Sequence, residues 1–191
     1  MMKLFYEIKL EDRSYIIHIK IINGLEKFID FLAKHGALLP EIEELIGLAD
    51  KNFLKRFKSI YFVYIIKNLK TGREDILGFL GLDIPIDKNK NVFIDIYVYP
   101  ECRRYGIAYT IIHENLEYIC KYIKETLNKS SIHATVNMDN LASIRLLEKL
   151  GFIKLPDKIL EDLRRRGVLG NNELRFIYYC KLNQKGVFNE H

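Results

Sequence analysis

The first part of the chain alternates short apolar segments with polar turns, and the spacing of its apolar residues separates strands from helices. Lys3–Leu10 and Tyr15–Ile22 alternate in the way that is typical of β-strands, with a polar turn between them. Over Gly24–Lys34 the apolar residues recur at helical spacing, and a second helical stretch is predicted over Pro40–Phe57. We therefore expect two strands followed by two helices.

Three further apolar stretches, rich in β-branched and aromatic residues, predict an antiparallel meander. They cover Ile60–Ile66, Ile76–Leu82 and Val92–Tyr99. Turn-forming residues at Leu69–Gly72 and Asp87–Lys90 separate them. Connections this short join neighbouring antiparallel strands, so the three strands should lie side by side in chain order.

The pattern changes after the meander. Ile107–Leu127 carries apolar residues along one face and predicts a long amphipathic helix. A strand, a helix and a last strand follow, over Ser131–Val136, Asn140–Leu150 and Glu173–Leu182, with Asn140 suited to cap the helix. No repeat or flexible linker interrupts this order. We expect residues 1–191 to form a single domain, a mixed α/β layer structure.

Composition is that of an ordinary globular protein and excludes several classes. The formal charge is +5, from 30 Lys and Arg against 25 Asp and Glu. This surplus is too mild for a dedicated nucleic-acid binder but suits a small polyanionic ligand. The longest apolar run, Ile60–Ile66, is too short to cross a bilayer, and Met1–Asp12 lacks the apolar core of a signal peptide. We expect a soluble, cytoplasmic protein with no nucleic-acid or membrane partner.

The cysteines predict neither a disulfide framework nor a zinc site. Cys102, Cys120 and Cys180 are odd in number, far apart in sequence and without CxxC spacing. We therefore expect ordinary thiols in a reducing cytosol. The histidines show no metal-ligand spacing, so we expect no metal site.

The segment Ile96–Ala108 carries the first sign of chemistry. It combines a predicted buried strand, a turn forced by Pro100, and a loop that places Gly106 at the start of the long helix. Exposed N–H groups at a helix N-terminus attract anions, and the small residues Gly106 and Ala108 allow a phosphate to approach the backbone. Taken alone, such a loop is better explained by tight helix packing.

A second block downstream changes this interpretation. The pattern V-x-P-x-x-[QR]-x-x-G-x-[GA] is matched at Val98, Pro100, Arg103, Gly106 and Ala108. The pattern N-x-x-[AS]-x-x-[LF]-[YF]-x-x-x-G-F is matched at Asn140, Ser143, Leu146, Gly151 and Phe152. In this order, and each in a strand–helix context, the two blocks resemble the GNAT superfamily of acyl-CoA-dependent N-acetyltransferases.

The resemblance implies a fold, a reaction and a set of binding residues. The fold would be a mixed, mainly antiparallel central sheet flanked by helices. The reaction would move an acetyl group from acetyl-CoA to a primary amine by direct attack in a ternary complex. The backbone of Ile96 and Val98 would pair with the pantetheine arm, the Val98 N–H would stabilise the oxyanion, and Asn140 would bind the pantetheine. The pyrophosphate and nucleotide phosphates would meet Arg103, Arg104, Tyr105, Gly106, Ile107, Ala108 and Lys149.

The acid and base of the reaction are not carried over by the resemblance. Leu147 stands where many members have a proton-donating Tyr, and Thr135 where one subfamily has a Glu. The remaining candidates are Asp95 as base and Tyr97, on the same side of the strand, as proton donor. The alternatives are that Asp95 faces solvent or pairs with a basic residue, and that Tyr97 belongs to the core.

The acceptor side carries no readable motif. A small-molecule or peptide amine is expected, and neither the acceptor nor the length of the acyl group is defined. The loss of the family acid and base at Leu147 and Thr135 leaves a second class open, a catalytically silent acyl-CoA-binding regulatory module. A homodimer also stays open.

Overall fold

The computed structural model describes residues 5–10, 13–37 and 56–180, with side chains from residue 17 onward. Residues 40–55 of the predicted second helix lie outside these ranges. The chain divides into two compact units, Met1–Ile112 and His113–His191. The single-domain expectation stays a prediction.

Five strands of the first unit pair antiparallel, each with the next along the chain. They are β1 (Phe5–Leu10), β2 (Arg13–Asn23), β3 (Phe57–Asn68), β4 (Glu74–Pro85) and β5 (Val92–Val98). The first helix, α1 (Leu25–Lys34), follows β2. The predicted meander is present in this unit, with each strand longer or shorter than expected by a few residues at its ends.

Helix α1 is held by aromatic residues on one face of these strands. Phe28 stacks on Tyr61 of β3 with ring centroids 3.9 Å apart, and meets Phe79 of β4 edge-on at 4.7 Å. Leu32, one turn further along α1, is completely buried in the same cluster. Aromatic pairs of this kind add to the stabilisation from apolar burial, so the periodic apolar face of α1 fixes its position.

Helix α2 (Ile107–Leu127) begins and ends where the apolar periodicity predicts, and the division between the units falls within it. In the first unit, the hydroxyl of Tyr64 donates a hydrogen bond to the carbonyl oxygen of Ile111 over 3.4 Å. Ile111 and Ile112 are both buried. The first turns of α2 are therefore anchored where the motif Ile96–Ala108 leads into the helix.

The second unit contains the last three strands and two more helices. They are β6 (Ser131–Asn137), α3 (Leu141–Lys149), β7 (Ile153–Lys154), α4 (Asp157–Arg165) and β8 (Glu173–Tyr179). Strand β8 pairs antiparallel with both β6 and β7. Phe176, Ile132 and Leu160 are almost completely buried and form part of its core. The prediction of a mixed α/β fold with mainly antiparallel strands and flanking helices is confirmed.

No helix within the described ranges is long and apolar enough to span a membrane.

The expectation for the cysteines was wrong in one respect. Cys120 of α2 and Cys180, next to the end of β8, form a disulfide with their Cα atoms 5.3 Å apart, although 60 residues separate them in sequence. Cys102 is a free, half-buried thiol. Spacing along the chain says nothing about two cysteines that tertiary structure brings together, which is why the sequence pattern missed the pair.

Of the two glycines in β4, Gly78 is the one at which an added methyl group would collide with backbone atoms. A Cβ built on Gly78 would meet the carbonyl oxygen of Tyr97 and lie 3.0 Å from the Cα of Val98. Gly81, in the same strand, would place a Cβ 3.3 Å from the nearest atom, the side chain of Tyr61. Glycine at position 78 therefore allows β4 and β5 to approach closely where β5 ends.

We expect Gly78→Ala to lower the free energy of unfolding by about 1–3 kcal/mol, because the two backbones must separate to admit the methyl group. Chemical unfolding curves measure the change. Gly81→Ala is the matched control, since its nearest contact, at 3.3 Å, is with a side chain and not with backbone, and it should cost less. Equal losses in the two variants would show that the close approach at Gly78 has no special role.

Candidate active site

The end of β5 is fixed by an irregularity in β4. Tyr64 of β3 pairs with Gly78 and the next residue, Ile65, pairs with Ile76, so Leu77 is an extra residue in β4. The carbonyl oxygen of Leu77 accepts a hydrogen bond from the N–H of Tyr99, one residue past the end of β5, at 3.1 Å. A bulge of this kind bends a strand and is common beside active sites. It here defines the point at which the chain leaves the sheet.

The chain then turns sharply into α2. Pro100–Cys102 forms one turn of 3-10 helix, and Arg104 and Gly106 both adopt positive φ, 71° and 76°. The N–H groups from Arg104 to Ala108 donate no hydrogen bond to any part of the chain that the structure describes. Successive N–H groups of this kind, at the N-terminus of a 21-residue helix, are suited to bind an anion.

The side chains of this loop point in two directions. Arg103 turns back to the strand: its Nε donates to the carbonyl oxygen of Val98 at 2.9 Å, and its guanidinium lies 5.6 Å from the ring centre of Tyr97. Arg104 and Tyr105 are exposed, Tyr105 to 79%. Arg103 therefore ties the loop to the end of β5, while the next two side chains extend into solvent.

Asp95 lies on the face of β5 that also carries Tyr97. Its partner in the sheet is Gly81, and its carboxyl is hydrogen-bonded to the carboxyl of Asp83 in β4. Asp95 is exposed to solvent, yet loss of hydration to the protein packed around it, together with the charge and hydrogen bond of Asp83, raises its pKa to about 7. Of the two alternatives for Asp95, solvent exposure is observed, whereas its hydrogen-bond partner is an acid and not a base.

Two side chains of β3 complete this group. The hydroxyl of Ser59 donates to Oδ1 of Asp83 at 2.6 Å. Tyr61 stands next to Ser59 on the same face, and burial raises the pKa of its hydroxyl to about 12, the charges of Asp83 and Asp95 adding to the effect. We call Ser59, Tyr61, Asp83 and Asp95 the carboxyl cluster.

Tyr97 is a packing residue as well as a member of this face. Its ring stacks on Phe79 with centroids 5.5 Å apart and meets Tyr99 edge-on at 5.3 Å. Tyr97 is half-buried. The hydroxyl of the neighbouring Tyr99, in contrast, is buried and donates to the carbonyl oxygen of Ala37. Packing holds Tyr97 firmly, which is compatible with either interpretation of its role.

The predicted site residues of the second unit lie on or beside α3. Asn140 is its N-cap: its Oδ1 accepts from the N–H of Ser143 at 3.1 Å. Lys149 is exposed in the last helical turn. Leu147 is buried in the core, and Thr135 is exposed on β6, opposite Arg175. Leu147 therefore supplies no proton donor, and Thr135 no carboxylate, at the positions where the family resemblance would place them.

Asp83, Ser59 and Tyr61 were not predicted from the sequence as candidate site residues. A signal was present, since Asp83 interrupts an apolar strand just as Asp95 does. Placing the two acids on one face requires the register of β4 against β5, with Asp83 opposite Phe93 and Asp95 opposite Gly81. Binary patterning alone does not define that register.

Comparison with known proteins gives one family match. The model of the acetyltransferase (GNAT) family matches residues 28–152, a range that contains the carboxyl cluster, the loop before α2 and all of α3. No curated protein sequence matches the chain.

Several solved structures resemble the chain at low identity. A spermidine N-acetyltransferase of Vibrio cholerae in complex with CoA and spermine is 15% identical, with a TM-score of 0.48, over 84% of this chain and 95% of that one. The N-acetyltransferase PseH of Campylobacter jejuni is 16% identical, with a TM-score of 0.46, over 85% and 99%. A Bacillus subtilis acetyltransferase in complex with CoA is 16% identical, with a TM-score of 0.49, over 84% and 98%.

Proposed function

Because the chain belongs to the GNAT acetyltransferase family, we propose that it transfers the acetyl group of acetyl-CoA to a primary amine by direct attack in a ternary complex. The observation that carries this proposal is the arrangement along one stretch of chain: the Asp95 carboxyl on β5, then the end of that strand at Val98, then the free N–H groups before α2. In this proposal a base, an oxyanion donor and an anion site would follow one another along the chain.

The loop before α2 would hold the pyrophosphate of acetyl-CoA. Its N–H groups from Arg104 to Ala108 donate to no acceptor in the described ranges, the dipole of α2 adds positive potential, and Arg104 is exposed beside them. A Cβ built on Gly106 would have no atom of the described residues within 4 Å apart from its chain neighbours, so this part of the loop leaves room for a ligand. These features fit a diphosphate.

The pantetheine arm would run beside the end of β5. Backbone groups of Ile96 and Val98 would pair with it as an added strand does, and the N–H of Val98 would donate to the thioester oxygen as it becomes negative. Asn140, Lys149 and Arg103 are further expected contacts. For Arg103 the hydrogen bond to Val98 suggests an indirect contribution, through the position of the strand end.

Asp95 would act as the general base. An acceptor ammonium would give one proton to the Asp95 carboxylate, and the neutral amine would attack the carbonyl carbon of the thioester. The C–N bond forms, the C–S bond breaks, and the second proton of nitrogen goes to the departing sulfur, producing an amide and CoA. A base with a pKa of about 7 is well matched to neutral pH, unlike an ordinary aspartate.

Turnover with a panel of amines tests this function. Acetyl-CoA is incubated with the protein and, separately, spermine, an aminoglycoside, free amino acids, a lysine-containing peptide and a peptide with a free N-terminus, and release of CoA thiol is followed. Amine-dependent thiol release, with the acetylated amine confirmed by mass spectrometry, supports the proposal.

The buried Leu147 favours one other candidate function. An apolar core residue stands where many family members have a proton donor, so a regulatory module that binds acyl-CoA without turnover is the second candidate. Calorimetry separates the two: tight binding of acetyl-CoA with no thiol release across the whole panel would select the regulatory module.

We expect Gly106→Ala to weaken acetyl-CoA binding by about tenfold, or about 1.4 kcal/mol, because its methyl group occupies the space in front of the free N–H groups. Gly72→Ala is the matched control, since Gly72 has nearly the same φ, 73° against 76°, and equally open surroundings in the β3–β4 turn. Both variants should lose about 1–2 kcal/mol of stability from the positive φ. Isothermal titration should show weaker binding only in Gly106→Ala, and equal affinities would exclude this loop as the phosphate site.

A further inference from the structure

We propose that Asp83 is a positioning residue for Asp95: its carboxylate, held by Ser59, orients the Asp95 carboxyl and makes it a stronger base. This inference rests on the proposed function, in which Asp95 takes the proton of the acceptor.

The register of three strands brings the pair together. Asp83 is opposite Ser59 in β3 and opposite Phe93 in β5, while Asp95 is opposite Gly81. Asp83 and Asp95 are therefore diagonal neighbours on one face of the sheet, and their carboxyls are joined by a hydrogen bond. Ser59 is buried and donates to Asp83 from the other side at 2.6 Å. Asp83 is thus held by hydrogen bonds from two different strands.

Gly81 keeps the approach to Asp95 open. A Cβ at position 81 would lie 3.3 Å from the ring of Tyr61 and 3.7 Å from the Cβ of Asp95. Any larger side chain would fill the gap between these two residues. Glycine leaves Asp95 exposed to solvent while Asp83, its partner, is only half-exposed. The arrangement presents one carboxyl to a ligand and keeps the other behind it.

The described groups that face Asp95 include no cation. Asp83 faces it from β4, Ser59 and Tyr61 from β3, and Tyr97 from its own strand, whereas the buried side of α1 is apolar. Among the residues that the structure describes, no Lys, Arg or His contributes to the pKa of either carboxyl. An acceptor ammonium bound beside Asp95 would supply the positive charge that balances the ionised pair.

Two carboxylates in hydrogen-bond contact do not both ionise readily, so one proton is retained between them. The hydrogen bond from Ser59 stabilises the ionised form of Asp83, so the retained proton lies on Asp95 below about pH 7 and leaves it above that pH, where Asp95 can act as a base. The negative charge of Asp83 thereby raises the proton affinity of Asp95. This is the property that a base needs in order to accept a proton from an ammonium.

Two variants test the proposal by moving the same pKa in opposite directions. Asp83→Asn removes the like charge, so the acidic limb of the pH–rate profile should move down by about 1 pH unit or more. Ser59→Ala removes the hydroxyl that donates a hydrogen bond to Asp83 and favours ionisation of the pair. The acidic limb of the pH–rate profile should therefore move to higher pH. A residue with only a structural role would change the stability or the plateau rate without shifting the limb in these two directions.

A measurement without turnover accompanies the kinetics. Protein carrying ¹³Cγ-labelled aspartate is titrated by NMR, with Asp95→Asn used to assign the Asp95 signal and Asp75→Asn as an exposed control. In the wild-type protein, the Asp95 midpoint should lie well above the 3.8 of an ordinary aspartate, and it should fall in Asp83→Asn. An Asp95 midpoint near that of an exposed aspartate, or one that does not respond to Asp83→Asn and Ser59→Ala, overturns the proposal. If Asp83→Asn does not fold, the Asp95 midpoint in the wild-type protein and its change in Ser59→Ala test the proposal instead.

The NMR titration also separates this inference from the proposed function. If no amine of the panel is acetylated while the Asp95 signal still responds to Asp83, the assignment of an acetyltransferase reaction to this chain fails and the carboxyl pair stands. If amines are acetylated and the limb does not respond to either variant, the positioning role of Asp83 fails and the acetyltransferase function stands.

Discussion

Asp95→Asn should lower kcat by about 10²–10⁴-fold while leaving acetyl-CoA affinity unchanged, because asparagine cannot take the proton of the attacking ammonium. The amide has the shape of the carboxyl and can donate to Asp83, so the fold of β4 and β5 should persist. In the wild-type protein, turnover should fall as the pH drops through about 7, where Asp95 becomes protonated. Steady-state kinetics across this pH range should show that the acidic limb disappears in the variant.

Asp75→Asn is the matched control for this loss. Asp75 is an exposed carboxylate on the same strand as Asp83 and is paired with Arg73 at the surface. It should leave kcat near the wild-type value. A wild-type pH profile in Asp95→Asn, or equal losses in the two variants, would show that Asp95 is not the base.

Stability provides an independent check on the same group. The folded-state pKa of Asp95 is raised from 3.8 to about 7, so the folded state binds the proton more tightly than the unfolded chain. The contribution to stability is therefore fully present below about pH 4 and is lost as the pH rises through about 7. Asp95→Asn should remove this part of the pH dependence of the unfolding free energy, measured by chemical denaturation between pH 4 and 8.

Reduction of the Cys120–Cys180 disulfide should lower the free energy of unfolding by about 4 kcal/mol. The bond closes a loop of 60 residues, and an unfolded chain that is cross-linked over this distance loses much of its conformational freedom. Urea unfolding with and without a reductant measures the difference. The double variant Cys120→Ala and Cys180→Ala should reproduce the reduced protein and should not respond to reductant.

Cys102→Ala is the control for this prediction, because Cys102 is a free thiol and half-buried. It should retain the response to reductant that the wild-type protein shows. Alkylation of the unreduced, unfolded protein should modify one cysteine and leave two protected. Modification of all three, together with unfolding curves that do not change on reduction, would contradict the bond.

Strong periodicity explains which elements could be predicted from the sequence. Helix α2 was predicted at both of its ends, because its apolar face continues without interruption for 21 residues. Asn140 was predicted as an N-cap, and its side chain makes the capping bond. Local patterns suffice where a helix has a continuous apolar face or a polar side chain at its first turn.

The elements that were missed depend on tertiary contacts. Helix α4 is short and highly charged, and only Leu160 among its residues is fully buried, so its sequence resembles a solvated basic segment. The disulfide Cys120–Cys180 and the pair Asp83 and Asp95 were also difficult to predict from the sequence. Each joins residues whose proximity is decided by strand register or by the packing of distant segments, and neither is encoded in a local pattern.

One part of the candidate site could likewise be predicted from a local pattern, and the other part depends on tertiary contacts. The anion-binding loop is a local structure of strand, turn and helix, and its motif was readable in the sequence. The carboxyl cluster requires three strands in one register, and only Asp95 among its members was predicted. Ser59 and Asp83 are 24 positions apart in the chain and meet only when β3 pairs with β4.

The order of the first five strands has a consequence for how the chain acquires its structure. Each strand pairs with the next one along the chain, so β1 to β4 find their pairing partners within residues 5–98. During synthesis, β1 to β5 emerge from the ribosome before α2 does. Cys180 is added much later, near the end of the 191 residues. The antiparallel strands should therefore fold first, and the disulfide should form on a chain whose first unit is already in place.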